Sequence, residues 1–367
     1  MNARERFQKT FRFEETDRPF RWETPGAWPA TVKRWLGEGL PLEASGRFAE
    51  YFCMDKLVWL RFPGGWTGNP YCPRFEKKVL GSDEYNVTLE DTDGILKKQR
   101  ILDPDTSMPQ FLKFPVETPC DYEEKILPRM DWRTPERFPA DWEEIIAARR
   151  NRDYPLGMFV IGPFGFLRNL LGDENLMYML FDEPAFIHRM MADWKEFYMR
   201  FIPLVCRDVV PDFLMVWEDI CYSRGPLVSP SHFMEFMAPG LKDVILNAKN
   251  LGIEAVVVDT DGDCSKMIPI YLECGANGFY PFEVQAGMDI VEWRKRYPRE
   301  FVVIGGLDKK TLAKSREHIM EEVRKKVPFM VAQKGFIPML DHTVPPDVSL
   351  SNFEFFLEDV RNISRGI

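Results

Sequence analysis

The chain has 367 residues, 45% of them hydrophobic and 14% aromatic, enough apolar material for a large buried core. Lys and Arg number 48 against 57 Asp and Glu, and the resulting net charge of −9 argues against a nucleic-acid surface, which needs clustered cations in excess. No apolar run reaches the ~20 residues of a membrane span, the opening Met1 to Phe7 has no apolar signal core, and the seven cysteines, from Cys53 to Cys274, include no CxxC pair, so a reducing cytoplasm is expected.

Taken in chain order, Arg4 to Thr10 has the pattern of a short amphipathic helix, and Pro19 to Trp22 that of a first strand ending at Glu23. A helix follows over 31–39, then a strand over 56–60 ending at Arg61. Between Pro63 and Pro119, proline and glycine clusters separate short alternating stretches, which predicts an antiparallel hairpin insertion forming a lid or wall. Helical spacing returns over 142–150, a buried strand over 157–161 ends in Gly162-Pro163, and helices are expected over 176–180 and 184–205, with Met177, Met179, Met190 and Met191 as core filling.

From residue 213 strand and helix alternate: strands at 213–217, 255–258, 278–282, 302–306 and 335–340, helices near 230–251, 264–274, 288–297, 316–333 and 351–364. That alternation predicts a parallel sheet with crossover helices, and eight strands in all predict a single (β/α)8 TIM barrel over residues 1–367, with the insertion at 63–119. A doubly wound sheet would want a glycine-rich phosphate turn after its first strand, and none is present.

Five of the later runs end in polar groups: Glu218-Asp219, Asp259-Thr-Asp261, Glu283, Asp308 and Asp341-His342. On parallel barrel strands these meet at one mouth. Asp259 and Asp261, one residue apart, project to the same side of an extended segment, where their repulsion calls for a cation, a shared proton or a basic neighbour; loop acids bonded to backbone amides are the structural alternative. Asp263 is explained as a helix cap. His342 beside Asp341 suits a general acid/base or a metal ligand, while His188, His232 and His318 fall in helical stretches. Arg21, Arg61, Arg168 and Arg224 are the candidate counterions, with Arg224 the easiest to place against an anionic substrate, and Trp22, Trp28, Trp59, Trp66 and Trp217 either wall a pocket or pack.

The stretches Asn2-Ala-Arg-Glu-Arg6 with Asp17-Arg-Pro19, Gly162-Pro163-Phe164, Leu227-Val-Ser-Pro230, Gly305-Gly-Leu-Asp308 and His342 to Val348 resemble, in this order, the uroporphyrinogen decarboxylase superfamily, which includes methyltransferases working with corrinoid proteins. The resemblance implies a (β/α)8 barrel and a cytoplasmic enzyme. It also shows departures. Glu23-Thr-Pro-Gly-Ala-Trp28 stands where the decarboxylases have a glutamine- and arginine-rich loop, and Asn169 where they have a tyrosine. Asp259, Asp261 and His342 stand where the methyltransferases bind zinc with His, Cys and Cys.

The expectation is therefore methyl or one-carbon transfer on a small substrate. A divalent metal, zinc foremost, would be held by Asp259, Asp261 and His342. His342, Glu218, Asp219 and Glu283 would be catalytic, and Arg224, Asp308, Trp22 and Asn169 would hold substrate. A corrinoid protein or tetrahydrofolate would carry the methyl group, and a homodimer is allowed. The alternatives are metal-free decarboxylation of a porphyrinogen-like or other carboxylated substrate, with His342 and an aspartate as proton donors, and a non-catalytic tetrapyrrole-binding protein.

Overall fold

The structure, a computed structural model, describes residues 1–23, 26–62, 68–102 and 108–365. Its strands are β1 Val58–Leu60, β2 Lys78–Ser82, β3 Asn86–Glu90, β4 Leu96–Arg100, β5 Gln110–Lys113, β6 Leu156–Ile161, β7 Phe213–Trp217, β8 Cys221–Tyr222, β9 Gly225–Pro226, β10 Ala255–Asp259, β11 Gly278–Tyr280, β12 Val302–Ile304 and β13 Phe336–Ile337. Seven of them form one curled parallel sheet in the order β1-β6-β7-β10-β11-β12-β13. Its strands are almost purely apolar because both faces are covered, as parallel sheets require.

The alternation of side chains divides that apolar content between two layers. Phe213 and Met215, Ala255 and Val257, Val302 and Ile304, and Ile337 point inward, where they meet Phe7, Phe20 and Trp22. Leu214, Val216, Val256, Val258, Val303 and Phe336 face the helices outside. The first helix, Ala3–Phe11, starts with an Asn2 capping box with Glu5 and packs Phe7 against Phe213, ring centroids 5.0 Å apart, at the N-terminal end of the sheet.

The expected eighth strand at 19–22 is not formed among the described residues. The segment runs alongside its neighbours with isolated contacts in place of a ladder: the Asp55 amide donates to the Arg21 carbonyl at 2.9 Å, and the Leu340 amide donates to the Glu23 side chain at 2.9 Å. Pro19 has no N–H to contribute, and a carboxylate takes the place of a backbone acceptor. Its apolar residues still point inward: Trp22 is buried beside Phe213 and Trp59, so it belongs to the inner core.

The insertion is an antiparallel four-stranded sheet, β2-β3-β4-β5, within the expected bounds. Residues 63–67, including Trp66, and 103–107 lie outside the described residues, as do Thr24 and Pro25. A helix over Pro163–Leu171 follows β6, in a stretch for which the sequence suggested no element. Pro163 occupies its first position, where a missing N–H costs nothing. The expected helix start at 264 moves to Ile268, and Asp263 caps a turn through the Ser265 amide at 3.0 Å.

Candidate active site

Sheet register aligns Ile161, Trp217, Asp259 and Tyr280 on four adjacent strands, so the residues after them share one end. The Asp259 carbonyl accepts from the amides of Glu218 at 2.9 Å and Asp219 at 3.3 Å, fastening the turn after β7 to β10. This turn puts Asp219 in the left-handed region, φ 49°, an uncommon conformation for a side-chain-bearing residue. Arg168, from the unexpected helix, holds it there by donating to its carbonyl at 2.7 Å and its carboxylate at 2.6 Å.

Asp261 and His342 come together as the sequence suggested, with Nε2 of the imidazole 3.4 Å from Oδ2 of the carboxylate. Trp28 stacks on the imidazole at 6.2 Å between ring centroids. Burial opposes a charge on His342, but the adjacent Asp261 carboxylate outweighs it, and the imidazole pKa is raised. Asp259 is pushed well above the ordinary carboxylate range, first by burial and then by repulsion from Asp261 and Asp219. Asp219 is also raised, by burial and by Asp261, with Arg168 opposing. The Asp259 carboxyl, biased towards its protonated form, thus lies near the Asp261–His342 ion pair.

The other acids are built into the scaffold to differing degrees. Glu218 has no exposed surface; its Oε2 accepts from the Phe164 amide at 2.9 Å and the Gly165 amide at 3.2 Å, at the start of the helix carrying Arg168. A Cβ at Gly162 would lie 2.2 Å from the Glu218 carboxyl carbon, so only glycine admits this contact. Burial lifts Glu218 to about 8. Buried in this way, its Oε2 braces the start of that helix from inside the fold.

Glu283 accepts from the Gly262 amide and from Lys309 Nζ, both at 3.1 Å. Asp308 caps the turn at Lys310 and accepts from Gln285 at 3.0 Å. Asp341, fully buried, accepts from the Val284 amide at 2.9 Å and the Lys309 amide at 3.0 Å, and burial raises its pKa. Lys309 therefore links Glu283 and Asp341, a role absent from the sequence reading.

Glu23 is the clearest omission. It is buried, lies close enough to Asp341 to feel its charge, and is raised to about 8, chiefly by burial. A lone glutamate at the end of a short segment offers no periodic signal, so only its neighbours reveal it. Among the expected substrate contacts, Asn169 is half-buried next to Arg168 on the same helix. Arg224 is exposed at the β8–β9 turn, where it makes no ion pair among the described residues. The arginine that meets the acids is Arg168.

For the expected metal, the donors present are two carboxylate groups and an imidazole. Among the described residues no three His, Cys, Asp or Glu side chains are grouped to hold an ion. Asp261 and His342 provide two donors, and Asp259 does not complete the set, so as arranged these residues do not fit a three-ligand metal site.

The chain is similar to three known proteins. A methyltransferase from Methanosarcina mazei has the same fold, with TM-score 0.63 and 13% identity over 99% of each chain. A B12-independent methionine synthase from Shewanella sp. W3-18-1 overlaps 63% of this chain and 67% of its own at TM-score 0.39 and 11% identity. A curated uroporphyrinogen decarboxylase from Hydrogenobaculum sp. (strain Y04AAS1) is 31% identical over 106 residues, which is 26% of this chain and 30% of that protein, so this chain spans under a third of that relative. The family model for uroporphyrinogen decarboxylase (URO-D) matches residues 102–363, the stretch that supplies Arg168, Asp219, Asp259, Asp261, Lys309 and His342. With most of its length and nearly all of its acidic mouth inside that match, the chain belongs to the URO-D family.

Proposed function

We propose that the protein is a URO-D-family enzyme that moves a methyl or one-carbon group from the oxygen or nitrogen of a small molecule to a carrier, a corrinoid protein or tetrahydrofolate. The observation that supports this is the Asp261–His342 pair, 3.4 Å apart, next to Asp259, whose carboxyl burial and neighbouring acids push well above the ordinary range. In the transfer, the carrier's electron pair forms the new bond to carbon while the bond from carbon to oxygen or nitrogen breaks. The departing atom receives the Asp259 proton, and His342, kept protonated by Asp261, returns one. Trp28 shields the imidazole, and the acidic rim favours a neutral or cationic substrate over a polyanion.

A panel of O- and N-methylated small molecules, with cob(I)alamin or tetrahydrofolate as acceptor and product identified by mass, tests the proposal. Wild type should turn over at least one pair, and Asp259→Asn should lose about 100-fold or more in kcat, the usual scale for a missing general acid. Full activity in that variant would remove Asp259 from the mechanism. Activity should survive chelators; a chelator-sensitive enzyme whose bound metal disappears in Asp261→Ala would replace proton donation by metal assistance.

Decarboxylation is the second reading, favoured by the Arg168 guanidinium on the rim beside Asp219, a group able to grip a carboxylate. There Asp259 would protonate the carbanion left by departing CO2. Release of CO2 from a carboxylated compound without any methyl acceptor would establish this reading over methyl transfer.

A further inference from the structure

Glu283, Lys309 and Asp341 form a closed ring of contacts, and the ring meets both members of the Asp261–His342 pair through the backbone. Glu283 Oε1 pairs with Lys309 Nζ at 3.1 Å, and the Lys309 amide donates to Asp341 Oδ1 at 3.0 Å. Asp341 Oδ2 accepts from the Val284 amide at 2.9 Å, which closes the ring beside Glu283. On one side Glu283 Oε2 accepts from the amide of Gly262, the residue after Asp261, at 3.1 Å. On the other side Asp341 directly precedes His342, and its own amide donates to the Leu307 carbonyl at 2.8 Å.

The backbone around the ring is shaped for these contacts. Thr260 Oγ1 donates to the Asp261 carbonyl at 3.3 Å, so the peptide between Asp261 and Gly262 is held at its oxygen by Thr260 and at its nitrogen by Glu283. Gly262 has φ 75°, and a Cβ there would lie 2.5 Å from the Tyr222 carbonyl oxygen, so the turn after Asp261 fits closely against the β8–β9 hairpin. Phe282, just before Glu283, has φ 59°, a conformation that an aromatic residue rarely adopts, and its buried ring stacks on Phe301 with centroids 6.0 Å apart. Such a backbone persists only where its surroundings over-determine it, and here it precedes the side chain that reaches Gly262.

We propose that Glu283 is a positioning residue, and that the ring it forms with Lys309 and Asp341 is a brace setting the 3.4 Å gap between Asp261 and His342. The carboxylate acts as a double acceptor, for the Gly262 amide and the Lys309 ammonium, and carries no proton in the reaction. The assignment rests on the proposed transfer only in that the pair it positions is the one used there. Positioning bears on rate, because misplacing a catalytic group by about 1 Å can cost roughly 100-fold.

Crystal structures of wild type, Glu283→Ala and Glu283→Gln, with kcat and KM in the transfer assay, test the brace. Neither variant ionises at this position, but glutamine keeps an acceptor for the Gly262 amide. In Glu283→Ala the Asp261–His342 gap should open beyond about 4 Å, the limit of an ion pair, and kcat should fall about tenfold or more with KM within about twofold. Glu283→Gln should keep the gap near 3.4 Å and recover most of the lost kcat. A Glu283→Gln enzyme as slow as Glu283→Ala would make Glu283 a proton carrier, and an unmoved gap in Glu283→Ala would make the ring a stabilising feature alone; either result overturns the proposal. The gap is read without substrate, so a panel in which nothing turns over counts against the transfer and leaves the brace to be decided by the structures.

Discussion

At the N-terminal ends of the strands, Asp55 is held between Arg6 and Arg18, and Asp212 between Arg4 and Arg152, with the Leu156 amide also donating to Asp212. At the C-terminal ends, Asp219, Asp259, Asp261, Glu283 and Asp341 meet one arginine, Arg168, one lysine, Lys309, and His342. The lower end spends its charges on each other. The upper end keeps an acidic surplus; burial first raises Asp219 and Asp259, and repulsion from Asp261 adds to it. Equal numbers of acids would look alike in composition; what separates the two ends is how many cations are fixed beside the acids.

Breaking the lower end should cost the most stability. Asp212→Ala strands two arginines around a buried vacancy, and unfolding by denaturant should show a loss of about 3–5 kcal/mol, as for a buried pair deprived of one partner. At the upper end the opposite is expected of Asp259→Asn: the midpoint should hold, because a neutral amide replaces a carboxyl that burial already disfavours ionising, while activity falls by the ~100-fold given above. A variant that loses both would show that Asp259 is structural.

The pH dependence sharpens the contrast. Glu23 titrates at about 8 when folded and near its ordinary 4.5 when unfolded, so the native state binds the extra proton between these values. Its contribution is therefore most favourable below pH 4.5 and is lost as pH rises through about 8. Glu23→Gln keeps an acceptor for the Leu340 amide without the ionisation, and its stability relative to wild type should rise by roughly 3–4 kcal/mol between pH 5 and pH 8. No difference between the two pH values would mean that Glu23 is ionised in the native state at both.

The smallest effect is the most local. In Asp261→Asn the imidazole keeps its burial and loses its carboxylate, so the His342 pKa should fall below its wild-type value. Proton NMR of the His342 ring reads this directly, and an unchanged titration would remove Asp261 as the partner that keeps the ring charged.

Much of this arrangement was legible beforehand for a local reason. Runs such as Ala255 to Val258 are apolar and β-branched because a strand covered on both faces needs nothing else, so the first carboxylate after each run marks its end. The same logic gathered Asp259, Asp261 and His342 at one mouth. It could not separate the acids there from one another. Glu218 and Asp259 both follow apolar strands, yet one is sealed by the Phe164 and Gly165 amides and the other faces Asp261. Arg224 seemed better placed than Arg168 because it follows the acids in the chain, whereas Arg168 reaches them from a helix after Gly162-Pro163 that was not expected.

The sequence by itself determined the alternating architecture from residue 213 onward, the antiparallel insertion and the acidic end of the sheet, since these depend on periodicity and on which residue types follow one another. Only the tertiary structure decided that the segment at 19–23 contributes Glu23 instead of a laddered strand, that Lys309 joins Glu283 to Asp341, and that Asp259 is pushed well above the carboxylate range near Asp261. Each of those outcomes depends on a hydrogen-bond donor or a charge brought in from far along the chain. Burial and pairing are properties of the folded neighbourhood, and no local pattern encodes them.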